Sequence, residues 1–159
     1  MKKHILKITL LIALLTTATA QSSTTLQLDP GNGAISGSAG STIGWGFSLR
    51  NDTNYLVVTS AVFEPDSAFV SFTDFISAPD NFFVVGPGKG ASNVWAQSFN
   101  AIDQTGLGSF KISPNASPGT SVFGNIVVTY DLFSQSPLNQ LFNPDTDTLS
   151  IGNVLSANA

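Results

Sequence analysis

The sequence predicts an all-β protein, an antiparallel β-sandwich of about eight strands, immunoglobulin-like or jelly-roll-like in architecture. Three observations predict it. Short apolar runs alternate with a period of two. Fourteen Gly and eight Pro punctuate those runs at close spacing. No stretch carries an amphipathic pattern of helix length. The chain has 159 residues, 42% apolar and 10% charged, which is too apolar and too sparsely charged for disorder. One domain fits this length. There is no Cys, so no disulfide supports the core. A domain of this size buries about 68–70% of its unfolded surface, enough for a core of its own.

Leu26-Gln27-Leu28 is a brief first strand, closed by the turn residues Asp29-Pro30-Gly31-Asn32-Gly33. After a Gly/Ser-rich stretch, Ile43, Trp45, Phe47 and Leu49 alternate with Thr42, Gly44, Gly46 and Ser48. That alternation places four large apolar side chains on one sheet face. Gly44 and Gly46 leave the opposite face thin, a place for close packing. Arg50 to Asn54 turns the chain. Tyr55 to Phe63 is β-branched and mostly apolar, the pattern of a more central strand.

Phe69 to Ile76 and Phe82 to Val85 are further apolar segments, separated by Pro79-Asp80-Asn81. Gly86 to Gly90 must be a loop. Val94 to Phe99 and Gly106 to Ile112 are candidate strands. Beyond the turn at Pro114 to Gly119, Val122, Ile126, Val128 and Tyr130 share a face of the next strand. Leu149-Ser150-Ile151 is the last strand.

The first 20 residues read as an export signal. Lys2, Lys3 and Lys7 form a basic start, Ile8 to Leu15 an apolar run, and Ala18-Thr19-Ala20 a small-residue cleavage pattern. The expected cut lies between Ala20 and Gln21. The apolar run is well short of the ~20 residues that a spanning helix needs, so no membrane span is expected in the mature chain. Cleavage leaves 139 residues, with Arg50, Lys89 and Lys111 against ten acidic residues, a net charge of −7. It also removes His4 and Met1, the only residues of their kinds.

Those losses narrow the chemistry. An acidic chain with three scattered cations is a poor partner for nucleic acid. Without His or Cys there is no Ser-His-Asp triad, no Cys-His pair, no histidine acid/base and no zinc or copper site built on those ligands. Carboxylates, hydroxyls, two Trp and three cations remain.

Several segments resemble one family of secreted proteins. They are Gly33 to Gly37, Gly40 to Phe47, Asn51 to Leu56, Thr129 to Ser134 and Asn143 to Thr148. The likeness is to the PEP-CTERM proteins of Gram-negative environmental bacteria, which are exosortase substrates. It covers nearly the whole mature chain and rests on structural residues, not a catalytic motif. It implies export, surface association and a biofilm or exopolysaccharide setting, with extracellular polysaccharide or surface proteins as partners. Such proteins close on a Val-Pro-Glu-Pro-like motif, an apolar span and a basic tail. This sequence closes on Ser156-Ala157-Asn158-Ala159. The expectation is a released member, or a gene model that ends early.

Trp45 and Trp95 offer flat faces for stacking on sugar rings. Trp45 alternates with core residues and is expected inside. Trp95, between Val94 and Ala96 beside a Gly-rich loop, is the candidate ligand residue. Asn143, Asp145 and Asp147 alternate as oxygen ligands do in calcium loops. An EF-hand needs Gly at its sixth place and Glu at its twelfth, and Thr148 and Val154 stand there. That leaves a looser Ca²⁺ site or an ordinary polar turn, with the turn preferred and no cofactor expected.

Gly86 to Ser92 has the look of a phosphate-binding loop, but Gly90 follows Lys89 where Ser or Thr is needed. Glu64, Asp66, Asp74 and Asp80 are the carboxylates from which a glycosidase pair would be drawn. Asp103 to Gly106 lacks the Asp-Thr-Gly of aspartic proteases, and no motif supports a Ser-Lys dyad at Lys89 or Lys111. Asn51-Asp52-Thr53 and Asn115-Ala116-Ser117 match glycosylation acceptors, idle in a bacterium. The chain is therefore read as a secreted, non-enzymatic β-sandwich with a surface or matrix role. A carbohydrate-binding module using Trp95 is the alternative, and a carboxylate-based glycoside hydrolase is the third.

Overall fold

The computed structural model describes residues 24–65, 71–77, 81–88 and 93–159. The expected export signal, with its cut between Ala20 and Gln21, lies outside the described residues, as do Asp66, Asp80 and Lys89. The described residues form two antiparallel sheets, a β-sandwich.

The first sheet is built on β2 (Thr42–Asn51). The second half of β2 pairs with β1 (Thr24–Asp29) on one side, with Leu28 opposite Phe47. On its other side β2 meets two strands in succession. β5 (Val94–Gln97) lies along residues 47–50, and β6 (Gly108–Lys111) along residues 42–45. β4 (Ser71–Asp74) pairs with β6 and ends this sheet. The second sheet has the order β3 (Tyr55–Pro65), β7 (Gly124–Phe133), β8 (Thr148–Asn158). The single-turn helix α1 (Pro144–Asp147) leads into β8.

The alternation read in β2 sets the core. Trp45, Phe47 and Leu49 are buried, and Ile43 is half-buried at the strand's start. They face Leu56, Val58, Ala61 and Phe63 of β3 and Ile126, Val128 and Tyr130 of β7. The indole of Trp45 lies 5.3 Å from the Phe63 ring and donates from Nε1 to the Gly33 carbonyl at 2.6 Å. That bond removes the cost of burying the indole N–H.

The thin outer face of β2 is covered. A Cβ on Gly44 would run into the Phe99 ring and the Gly108 carbonyl, and one on Gly46 would lie 2.7 Å from the Gln97 carbonyl. Phe99 stacks in turn on buried Phe75, with ring centroids 6.3 Å apart. The two glycines thus let a loop cross the sheet at a distance that any side chain would prevent.

Three elements differ from the sequence reading. β3 has the composition of a central strand but lies at the edge of its sheet, and β7 is the central one. At that edge the core residue Leu56 bridges to Val85, while Val62 on the outer face stays 48% exposed. Phe82 to Val85 accordingly contributes one bridge, not a strand. β8 runs on past Ile151 to Asn158, because Gly152 adopts φ +66° and an irregularity there lets pairing with β7 continue.

Candidate functional site

Trp95 sits on β5 opposite Leu49. Directly opposed residues of an antiparallel pair point to the same face, so Trp95 points toward the inside of the sandwich. β5 pairs with no strand but β2 among the described residues, so its inner face is only partly covered. Trp95 therefore remains 39% exposed, against 3% for Trp45.

One face of its indole is taken. Phe83 lies parallel to it, with a centroid distance of 4.9 Å and an interplanar angle of 1°. Phe83 is buried and rests on Phe47 at 5.9 Å. The three rings form a row from the core to the rim, and the outermost is held in a fixed plane by the other two. Parallel aromatic pairs of this kind contribute about 0.5–1.5 kcal/mol beyond area burial.

The surroundings of the indole are polar and internally bonded. Gln97 donates from Nε2 to Asn81 Oδ1 at 2.7 Å and accepts from the Gly106 N–H at 3.1 Å. Asn81 donates to the Phe75 carbonyl at 3.0 Å. Two residues before Trp95, Asn93 is fully buried. Its Nδ2 donates to Asp52 Oδ1 at 2.9 Å and to the Gly88 carbonyl at 2.7 Å. Its Oδ1 has no hydrogen-bond partner. Asp52 Oδ1 also accepts from Arg50 Nε at 2.9 Å. Asn93 thus ties the start of β5 to the β2–β3 turn, which fixes the strand that carries Trp95.

Several of the other candidates make hydrogen bonds within the fold. Asn143 caps α1, its Oδ1 accepting from the Asp145 N–H at 3.0 Å. Asp147 accepts from the Asn143 N–H at 2.8 Å through Oδ2 and from the Ser134 hydroxyl at 3.2 Å through Oδ1. Of the three alternating residues read as metal ligands, Asn143 and Asp147 have side-chain oxygens engaged in closing one helical turn, and Pro144 at its start suits that geometry. Among the described residues, no group of three or more His, Cys, Asp or Glu side chains is placed to hold a metal ion.

Asp74 accepts from the N–H groups of Ala61, Ile76 and Ser77 and from the Ser77 hydroxyl, at 2.7–3.2 Å. It is a lock between β3 and β4. Glu64 lies on β3 beside Pro65. The described members of the carboxylate set, Glu64 and Asp74, thus have separate settings, and Asp66 and Asp80 lie outside the described residues. The Gly88 N–H donates to the Asp52 carbonyl at 3.0 Å, so this amide of the Gly-rich loop is already engaged. Asp103 accepts from Asn100 within a surface turn.

Sequence reading missed Phe83 and Asn93 as parts of the Trp95 setting. Phe83 is twelve residues away from Trp95, and a period of two relates only residues within one strand. Asn93 carried one signal, a lone amide immediately before an apolar strand start.

Among the described residues no helix is long and apolar enough to cross a membrane. No family model, no curated protein and no solved structure matches this chain.

Proposed function

We propose that this chain is an exported, non-enzymatic β-sandwich that acts at a cell surface or in an extracellular matrix by binding glycan at Trp95. The observation that carries the reading is the fixed indole. Trp95 is half-exposed on an edge strand and stacked on a buried ring that holds its plane. A rigid flat apolar surface at a rim suits the C–H face of a pyranose, because no side-chain freedom is lost on stacking. The composition of the mature chain supports a binding role over catalysis, since no His or Cys remains after residue 20. The likeness to exported PEP-CTERM proteins supports the matrix setting and a Gram-negative source.

Co-sedimentation with exopolysaccharide from the source organism tests it. The wild-type protein should pellet with the polymer, and Trp95→Ala should stay in the supernatant with an unchanged circular dichroism spectrum. Equal pelleting of both would remove Trp95 from the site. If neither pellets, glycan binding fails and the partner is to be sought among surface proteins.

A further inference from the structure

The two edges of the second sheet are treated differently. On the β3 edge, Leu56 exchanges two backbone hydrogen bonds with Val85, each 2.9 Å. Lower on the same edge, the Ala61 N–H is taken by Asp74 at 2.8 Å. An irregularity between Val58 and Ser60 breaks the line of the strand, and Glu64 and Pro65 end it. Plugs, a bulge, a charge and a proline are all ways of keeping an edge from pairing with another strand.

The β8 edge has few of these. Its eleven residues hold no charge and no proline. Gly124 and Ala159 exchange two backbone hydrogen bonds, of 3.0 and 2.9 Å. From that pair, the antiparallel alternation bonds Ala157 to Ile126, Leu155 to Val128 and Asn153 to Tyr130. It turns the N–H and C=O groups of Val154 and Ser156 away from β7. β1 comes close to β8 without pairing to it, and no described backbone group bonds Val154 or Ser156 from that side.

The open stretch has definite ends. Above it, Gly152 adopts φ +66° and its N–H is taken by Asp131 at 2.8 Å. Below it, Gly33 lies so close to the Asn158 carbonyl that a Cβ there would overlap it. What remains is residues 153–157, a window symmetric about Leu155.

We infer that β8 pairs with β8 of a second copy of this chain, antiparallel and centred on Leu155. In this register Val154 bonds Ser156 of the other copy, and Ser156 bonds its Val154, through four backbone hydrogen bonds. Of the centred registers it alone uses the whole window, and it brings together the residues whose polar groups face outward. The two Leu155 side chains, packed against the core within each copy, then meet beside the two-fold axis. Two three-stranded sheets become one of six strands. Electrostatics favours this surface over others on an acidic molecule, because neither copy brings a charge to it.

Sedimentation equilibrium of the purified chain tests the pairing, with Ser156→Pro and Val154→Lys as variants. Ser156→Pro removes an N–H that its own sheet does not use. Val154→Lys puts a cation on the solvent face of the edge. The wild type should sediment at twice the monomer mass, and both variants at the monomer mass with an unchanged circular dichroism spectrum. If Ser156→Pro fails to fold, Val154→Lys decides. A wild type that is monomeric at its highest soluble concentration overturns the inference. So does a dimer that survives the folded variants.

Discussion

Trp45 and Trp95 point toward the same side of the same sheet, yet one is core and the other is rim. Trp45 has β6 beside it and the second sheet above it, with Phe63 at 5.3 Å and Phe72 at 6.4 Å. Trp95 has Phe83 alone as an aromatic neighbour among the described residues. The difference comes from the strand and not from the residue. A side chain on a strand paired at both edges is enclosed by its neighbours, while one on a short outer strand keeps an open flank. Orientation toward a core is thus insufficient for burial, and an inward-facing aromatic on an outer strand can stay exposed to solvent.

The largest effect expected from this contrast is at Trp45. Trp45→Ala should lower stability by about 3–5 kcal/mol, through the cavity and the lost packing. Chemical denaturation would measure it, and a loss under 1 kcal/mol would mean that Trp45 is not core. Trp95→Ala should cost only about 1–2 kcal/mol, because it removes one stacking partner from a site already open to water. Fluorescence sharpens the pair. Trp95→Phe should leave a blue-shifted emission that acrylamide quenches weakly, while Trp45→Phe should leave one that is quenched strongly. The smallest effect is expected at Asn143, Asp145 and Asp147. Added Ca²⁺ should leave the melting temperature nearly unchanged, since the oxygens of Asn143 and Asp147 already accept hydrogen bonds within the turn. A rise of many degrees would show a ligand held by the folded state.

Much of the fold is legible in the amino-acid sequence. The alternation from Ile43 to Leu49 and that from Ile126 to Tyr130 mark the two inner faces, because side-chain direction has a period of two along any strand. The thin face at Gly44 and Gly46 is legible as a place of close approach, though not that Phe99 fills it. The site is half legible. Trp95 stands out as an aromatic beside a loop, but its backing by Phe83 does not.

The sequence by itself determined the fold class, the inner faces of the long strands and the chemistry open to residues 21–159, which hold no His or Cys. These follow from local periodicity and from composition, which need no knowledge of neighbours. Only the tertiary structure decided which strands became edges. It placed β3 at a sheet edge despite its central-strand composition, and plugged it with Val85 and Asp74. It turned the acidic run at Asn143 into a helix cap. It also left Trp95 on a rim and β8 with an open flank. Strand order joins residues far apart in the chain, and that distance is what a period of two cannot span.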